Sequence, residues 1–155
     1  MTFRITGLSP EPFRPLYGLA DERLSELGVK RYRVDRNPGY PDRVEMRDAA
    51  IGETVLLLNH CHQTGDTPYR ASHAVFVREG AEEPYDRLGE VPQVLRSRLL
   101  SLRAFDASHM MVDADVVEGT DIEALIARLF KNPGAAYIQA HYAKRGCYAG
   151  RIDRN

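Results

Sequence analysis

The stretch Leu56–Glu79, LLLNHCHQTGDTPYRASHAVFVRE, decides how the rest of the chain is read. Two largely apolar runs, Thr54–His60 and Ser72–Glu79, flank a loop broken by Gly65 and Pro68. Thr54–His60 lacks the apolar–polar alternation of a strand with one wet face. Both runs therefore read as strands central to a sheet, the first covered on both faces. The stretch also holds three of the five histidines, one of the two cysteines, and Asp66, Tyr69, Arg70 and Ser72. Loops set on rigid strands commonly hold ligands, so the likeliest site lies here.

Working outward, Thr120–Lys131 is the best-specified element. Ile122, Leu125, Ile126, Leu129 and Phe130 form an apolar stripe at helical spacing. Thr120 and Glu123 fit a capping box, and Asn132-Pro133-Gly134 stops the helix. Shorter helices are expected at residues 21–27, ended by Gly28, and at 92–99. Phe3–Gly7 and Val29–Val34 alternate and read as strands, the first at an edge. Asn37–Pro41, NPGYP, reads as a chain reversal with Tyr40 at its tip, or as a ligand-covering loop. Residues 81–90 read as irregular.

Two hairpins follow from side-chain parity. In Leu99–Val117, Leu100, Leu102 and Ala104 are matched to Met110, Val112, Ala114 and Val116, which needs an odd loop, Asp106-Ala107-Ser108. Asp113 and Asp115 then share a face with Arg103; two carboxylates so spaced could bind a metal or do acid/base work, and the plainer reading pairs them with Arg103 on an exposed face. In Ala135–Asp153, an odd loop Lys144-Arg145-Gly146 opposes Ile138 to Ile152, Ala140 to Gly150 and Tyr142 to Tyr148. Tyr137, Gln139, His141, Cys147 and Arg151 fall on the other face, with His141 diagonal to Cys147.

The 155 residues are expected to fold as a single domain, residues 1–155. With a net charge of -1, no broad nucleic-acid footprint is indicated. The cations are almost all arginine, since lysine occurs only as Lys30, Lys131 and Lys144. No apolar run suits a signal peptide or a membrane span, so a cytoplasmic protein with reduced Cys61 and Cys147 is expected. Neither GxGxxG nor GxxxxGK[ST] occurs, and no cofactor is expected.

Three constellations carry candidate chemistry. The preferred one is an anion pocket of Tyr69, Arg70, Ser72 and His73, helped by His62 and His141; the plainer reading pairs Arg70 with Asp66 to pin the loop. The second is a thiol site in which His141 serves Cys147 as base, against an inert buried cysteine. The third is a metal site built on His60-x-His62, with His73 or His141 as a third ligand, against ordinary hydrogen-bonded histidines.

FRITGL, TPYRASHAVFVREG, LLSLRAFD…MMVDADVV and AHYAKRGCYAGRID together resemble the bacterial family catalogued as domain of unknown function 1203. The resemblance implies a bacterial cytosolic protein of about this length and supplies no activity. It places His62, Tyr69, Arg70, Ser72, His73, Gly146 and Cys147 in the family's characteristic stretches and leaves His60 and Cys61 outside them.

The expected fold is α+β: one mostly antiparallel sheet of six to eight strands with the 120–131 helix packed on a face. The expected function is binding of a small anionic ligand, with or without catalysis. The alternatives are a non-catalytic interaction module or homodimer, and a histidine-ligated metalloprotein.

Overall fold

A computed structural model of the chain describes residues 2–155. Among these, the elements run β1 (Phe3–Thr6), α1 (Asp21–Glu26), β2 (Lys30–Arg33), β3 (Thr54–Gln63), β4 (Ala71–Arg78) and β5 (Asp86–Leu88). Then come α2 (Gln93–Arg96), β6 (Leu99–Phe105), β7 (Met111–Glu118), α3 (Ile122–Phe130), β8 (Tyr137–Tyr142) and β9 (Tyr148–Arg154). The class is α+β, and every strand pair is antiparallel.

The strands make two sheets rather than one: β5-β1-β9-β8-β6-β7 and β2-β3-β4. β3 is central, but in the smaller sheet, and β4 is that sheet's edge. β1 is not an edge strand. Residues 86–88 supply a strand beside it, which an acidic, apolar-poor segment does not announce.

Three layers result. The α3 stripe packs on Leu100, Leu102, Ala104, Ile138, Ala140 and Ile152 of the large sheet. The opposite face of that sheet meets β3 and β4. There Tyr148 joins Leu56, Leu58, Val75 and Val77 in a second core, with Phe13, Leu24 and Val29. The outer face of β3 is covered by Val34, Tyr40 and Ala49 over Val55. This is why β3 shows no alternation. Tyr40 is therefore buried rather than at a loop tip, and its hydroxyl donates to Asp35 at 2.9 Å.

Tertiary contacts revise several local readings. A 3-10 turn, Gly119–Asp121, precedes α3, and no side chain caps the helix. Glu123 binds Arg96 instead of closing a capping box. α2 is only one turn long, because Leu99 already belongs to β6. The β6–β7 hairpin is three residues out of the register that an Asp106-Ala107-Ser108 loop gives: Leu102 opposes Asp115 and Ala104 opposes Asp113, which exchanges the two faces of β7. Asp113 and Asp115 thus lie on the α3 side and pair with Arg128, not Arg103. Val112 and Val116 are left exposed on an edge strand.

Glu79 ties β4 to its surroundings. It accepts hydrogen bonds from Arg31, the Gly18 N–H and the Thr54 hydroxyl. The Arg31 bond is the main reason its carboxyl falls from 4.5 to about 2. The unfolded chain takes up the proton first, so this stabilisation is complete above pH 4.5 and disappears as pH falls toward 2. At about 1.4 kcal/mol per unit, it contributes about 3 kcal/mol. Glu79→Gln is expected to flatten stability against pH over that window. An unchanged acid limb in urea titrations would refute this.

Candidate functional site

β3 reaches the large sheet at its end. The Gln63 amide donates to the Tyr137 hydroxyl at 2.9 Å, and the Gln139 amide donates to the His62 carbonyl at 2.9 Å. A bulge between Cys61 and Gln63 leaves His62 outside the ladder pairing. Its ring sits 4.7 Å from that of His73, 5.0 Å from that of His141 and 5.1 Å from that of Tyr148. One ring nitrogen from each of His62, His73 and His141 lies within 4.8 Å of the others.

The hydrogen bonds fix two of the tautomers. Because Gln139 Nε2 faces the His62 carbonyl, its Oε1 faces His62 Nδ1 at 2.7 Å and accepts a hydrogen bond from its N–H. His141 Nδ1 donates to the Gly146 carbonyl at 3.0 Å. Nε2 of both rings then carries a lone pair. These two atoms and His73 Nδ1 are buried without a hydrogen-bond partner among the described residues. Burial is the main cause that lowers all three pKa values, to about 4 for His62 and about 3 for His141. Nearby Arg103 adds to each shift. Burial thus favours the neutral form of each imidazole.

His73 also lines a cavity of about 660 Å³. Its wall carries Arg36, Arg43, Arg98, Lys144 and Arg145 against one carboxylate, Glu118. Asp48 neutralises Arg98 at 2.6 Å, and Asp35 lies 3.6 Å from Arg36. Arg43 is 1% exposed. It donates to the carbonyls of Pro41 and Tyr148 and to Cys147 Sγ, with no carboxylate in ion-pair reach among the described residues. The Arg43 and Arg98 guanidiniums lie 5.0 and 5.1 Å from the Tyr142 ring centroid. Burial pushes the Tyr142 hydroxyl up to about 12, against the pull of the two guanidiniums, which lowers it.

A family model described as Protein of unknown function (DUF1203) matches residues 39–154. The chain belongs to this family. The DUF1203 match includes every histidine and both cysteines, and begins after Phe3–Leu8. No curated protein and no solved structure matches the chain. No described helix is long and apolar enough to cross a membrane.

The structure divides the residues singled out in the sequence. His62, His73 and His141 come together. Tyr69, Arg70 and Ser72 are exposed. Arg70 donates to the Thr64 carbonyl at 2.7 Å, closing its own loop without Asp66. Tyr69 leans on Phe105. The bulge carries His60 away from the cluster, and its ring packs edge-on against Phe13. Cys61 and Cys147 are free thiols. A second bulge, between Ala140 and His141, puts Tyr148 opposite His141 in place of Ala149, so Cys147 is no longer its diagonal neighbour on the same face. Cys147 consequently packs toward the α3-side core and bonds to Arg43, which removes the geometry expected for a His141–Cys147 pair.

Arg43, Arg98, Arg103 and Tyr148 gave no local signal. Their importance comes from where separate segments meet. The Asn37–Pro41 loop does reach the cavity, through Gly39 and Pro41.

Proposed function

We propose that this protein binds a small organic anion, a carboxylate or phosphate, in the basic cavity. One observation carries the reading: a wall of five cations, two of them locally neutralised, faced by a single carboxylate. Such a wall attracts an anion, and a guanidinium bonds it through two donors at once. The apolar patches at Leu57, Phe76 and Leu99 suit a ligand with an apolar body. The volume is in the range of small-molecule sites.

Lys144 and Arg145 lie in the turn before Gly146, outside the packed cores, so they can be changed without disturbing the fold. The Lys144→Ala/Arg145→Ala double variant is expected to keep its melting temperature. It should bind pyrophosphate or citrate roughly tenfold or more weakly by calorimetry, each lost charge-assisted bond being worth about 1.5–3 kcal/mol. Wild-type protein that binds neither probe at millimolar concentration would end this reading.

The exposed edge strand β7 supports a second reading, a homodimer. Met110, Val112 and Val116 lie in solvent beside unpaired backbone groups. Sedimentation should then show a dimer that Val116→Lys dissociates. A wild-type monomer at micromolar concentration counts against it.

A further inference from the structure

We propose that His62, His73 and His141 form a binding site for one divalent transition-metal ion, zinc in particular, with the fourth position taken by a water, hydroxide or carboxylate oxygen. The inference stands apart from the anion reading, since it needs only the three rings.

Three independent observations converge. The first is that each of the three rings has one buried nitrogen without a partner among the described residues, and that one ring nitrogen of each lies within 4.8 Å of the others. Burying an imidazole nitrogen with nothing to bond costs free energy, and three such atoms at one point cost it three times. An ion satisfies all of them together. The second is the tautomers. His62 and His141 each donate a hydrogen bond from Nδ1–H to an oxygen of this chain, Gln139 Oε1 and the Gly146 carbonyl. Metal-binding histidines are oriented in this way, with the outer nitrogen donating to a carbonyl or carboxylate and the inner one bare. The third is the donor type. Three neutral imidazoles and an open position suit zinc, cobalt or copper rather than magnesium or calcium, which prefer oxygen.

The arrangement needs one local adjustment. The His62 and His73 ring planes are parallel to within 1°. Parallel planes share no point, so an ion in line with both lone pairs requires one ring to turn. His73 is the one able to do so, since no hydrogen bond holds its ring among the described residues. His62 is held by Gln139. Zinc–nitrogen bonds of ~2.1 Å place tetrahedral ligand atoms ~3.4 Å apart, so the nitrogens close by roughly 1 Å. Arg103, whose side chain bonds only Ser101 Oγ, at 3.3 Å, among the described residues, raises the cost of bringing in a cation. It also favours an anionic fourth ligand, because hydroxide or carboxylate offsets both charges.

The test uses the full chain, stripped with chelator and dialysed against zinc or cobalt in a non-coordinating buffer. One equivalent of zinc should remain by elemental analysis. The cobalt form should show the intense visible absorption of a four-coordinate ion. X-ray absorption of the zinc form should show three imidazoles, without any variant being needed. His73→Gln, at a half-buried position, should weaken zinc binding roughly 100-fold or more, and Gln139→Ala about 10–100-fold through the lost orientation of His62. His60→Gln and Cys147→Ser should keep wild-type affinity. Substoichiometric zinc after dialysis, weak six-coordinate cobalt bands, fewer than three imidazole scatterers, or a His73→Gln protein with wild-type affinity would each overturn the proposal.

Discussion

Arg43→Ala is expected to lower the unfolding free energy by about 3–5 kcal/mol. The guanidinium is 1% exposed and bonds three acceptors from separate parts of the chain: Pro41 O at 2.6 Å, Tyr148 O at 2.8 Å and Cys147 Sγ at 3.2 Å. Truncation leaves two carbonyls without this donor and opens a void beside Tyr142. Each unpaired carbonyl costs about 1–3 kcal/mol, and the void adds to that. One effect opposes this. A buried cation with no carboxylate beside it has lost its hydration, and removing it returns that cost. The hydrogen bonds win because all three guanidinium nitrogens are used. Arg43→Lys should fall between the two proteins, since an ammonium lacks the planar fork. Urea titration should show a lower midpoint at unchanged slope. An Arg43→Ala protein within about 1 kcal/mol of wild type would mean that desolvation cancels the bonds, contrary to this argument.

Gly119→Ala is the second large effect, at about 3 kcal/mol or more. A Cβ at this position would lie 1.9 Å from the Leu95 carbonyl oxygen and 2.7 Å from that of Arg96. Both obstacles are backbone, so no side chain can swing aside. The Gly119 N–H also donates to the Arg98 carbonyl at 2.8 Å, which holds the start of α3 against the end of α2. An added methyl must push these helices apart, and the α3 stripe moves with them. For a chain of this size the melting temperature should drop by roughly 6–12 °C. Gly134→Ala serves as the control, because there the nearest atom is the Asn132 side-chain oxygen at 3.2 Å. Equal melting temperatures for the two variants would show that the α2–α3 contact yields easily.

The residues of α3 illustrate what could be read in advance. Ile122, Leu125, Ile126, Leu129 and Phe130 are all buried, as their spacing implied. Glu123 illustrates the limit. Its place in a capping box was locally sound, but Arg96 from another segment took the carboxylate. The hairpins show the same division. Ile138 opposes Ile152 and Ala140 opposes Gly150, with Gly146 at φ 81° in the turn, as parity requires. One bulged residue then put Tyr148 in place of Ala149 opposite His141 and turned Cys147 off that face. Strand faces alternate with period two, so a one-residue insertion reverses every side chain beyond it. No composition rule announces such an insertion.

By itself the sequence determined most of the element types, the core face of α3, the central role of β3 and the polar character of Tyr137, Gln139 and His141. These follow from backbone periods of 3.6 and 2, which act within a few residues. Only the tertiary structure decided that β3 and β4 leave the large sheet and lie across it. That docking brings His62 and His73 to His141, and sets Arg43 between Pro41 and the Tyr148 carbonyl. Which faces meet depends on burying whole layers at once, a free energy summed over residues far apart in the chain and carried by no single segment.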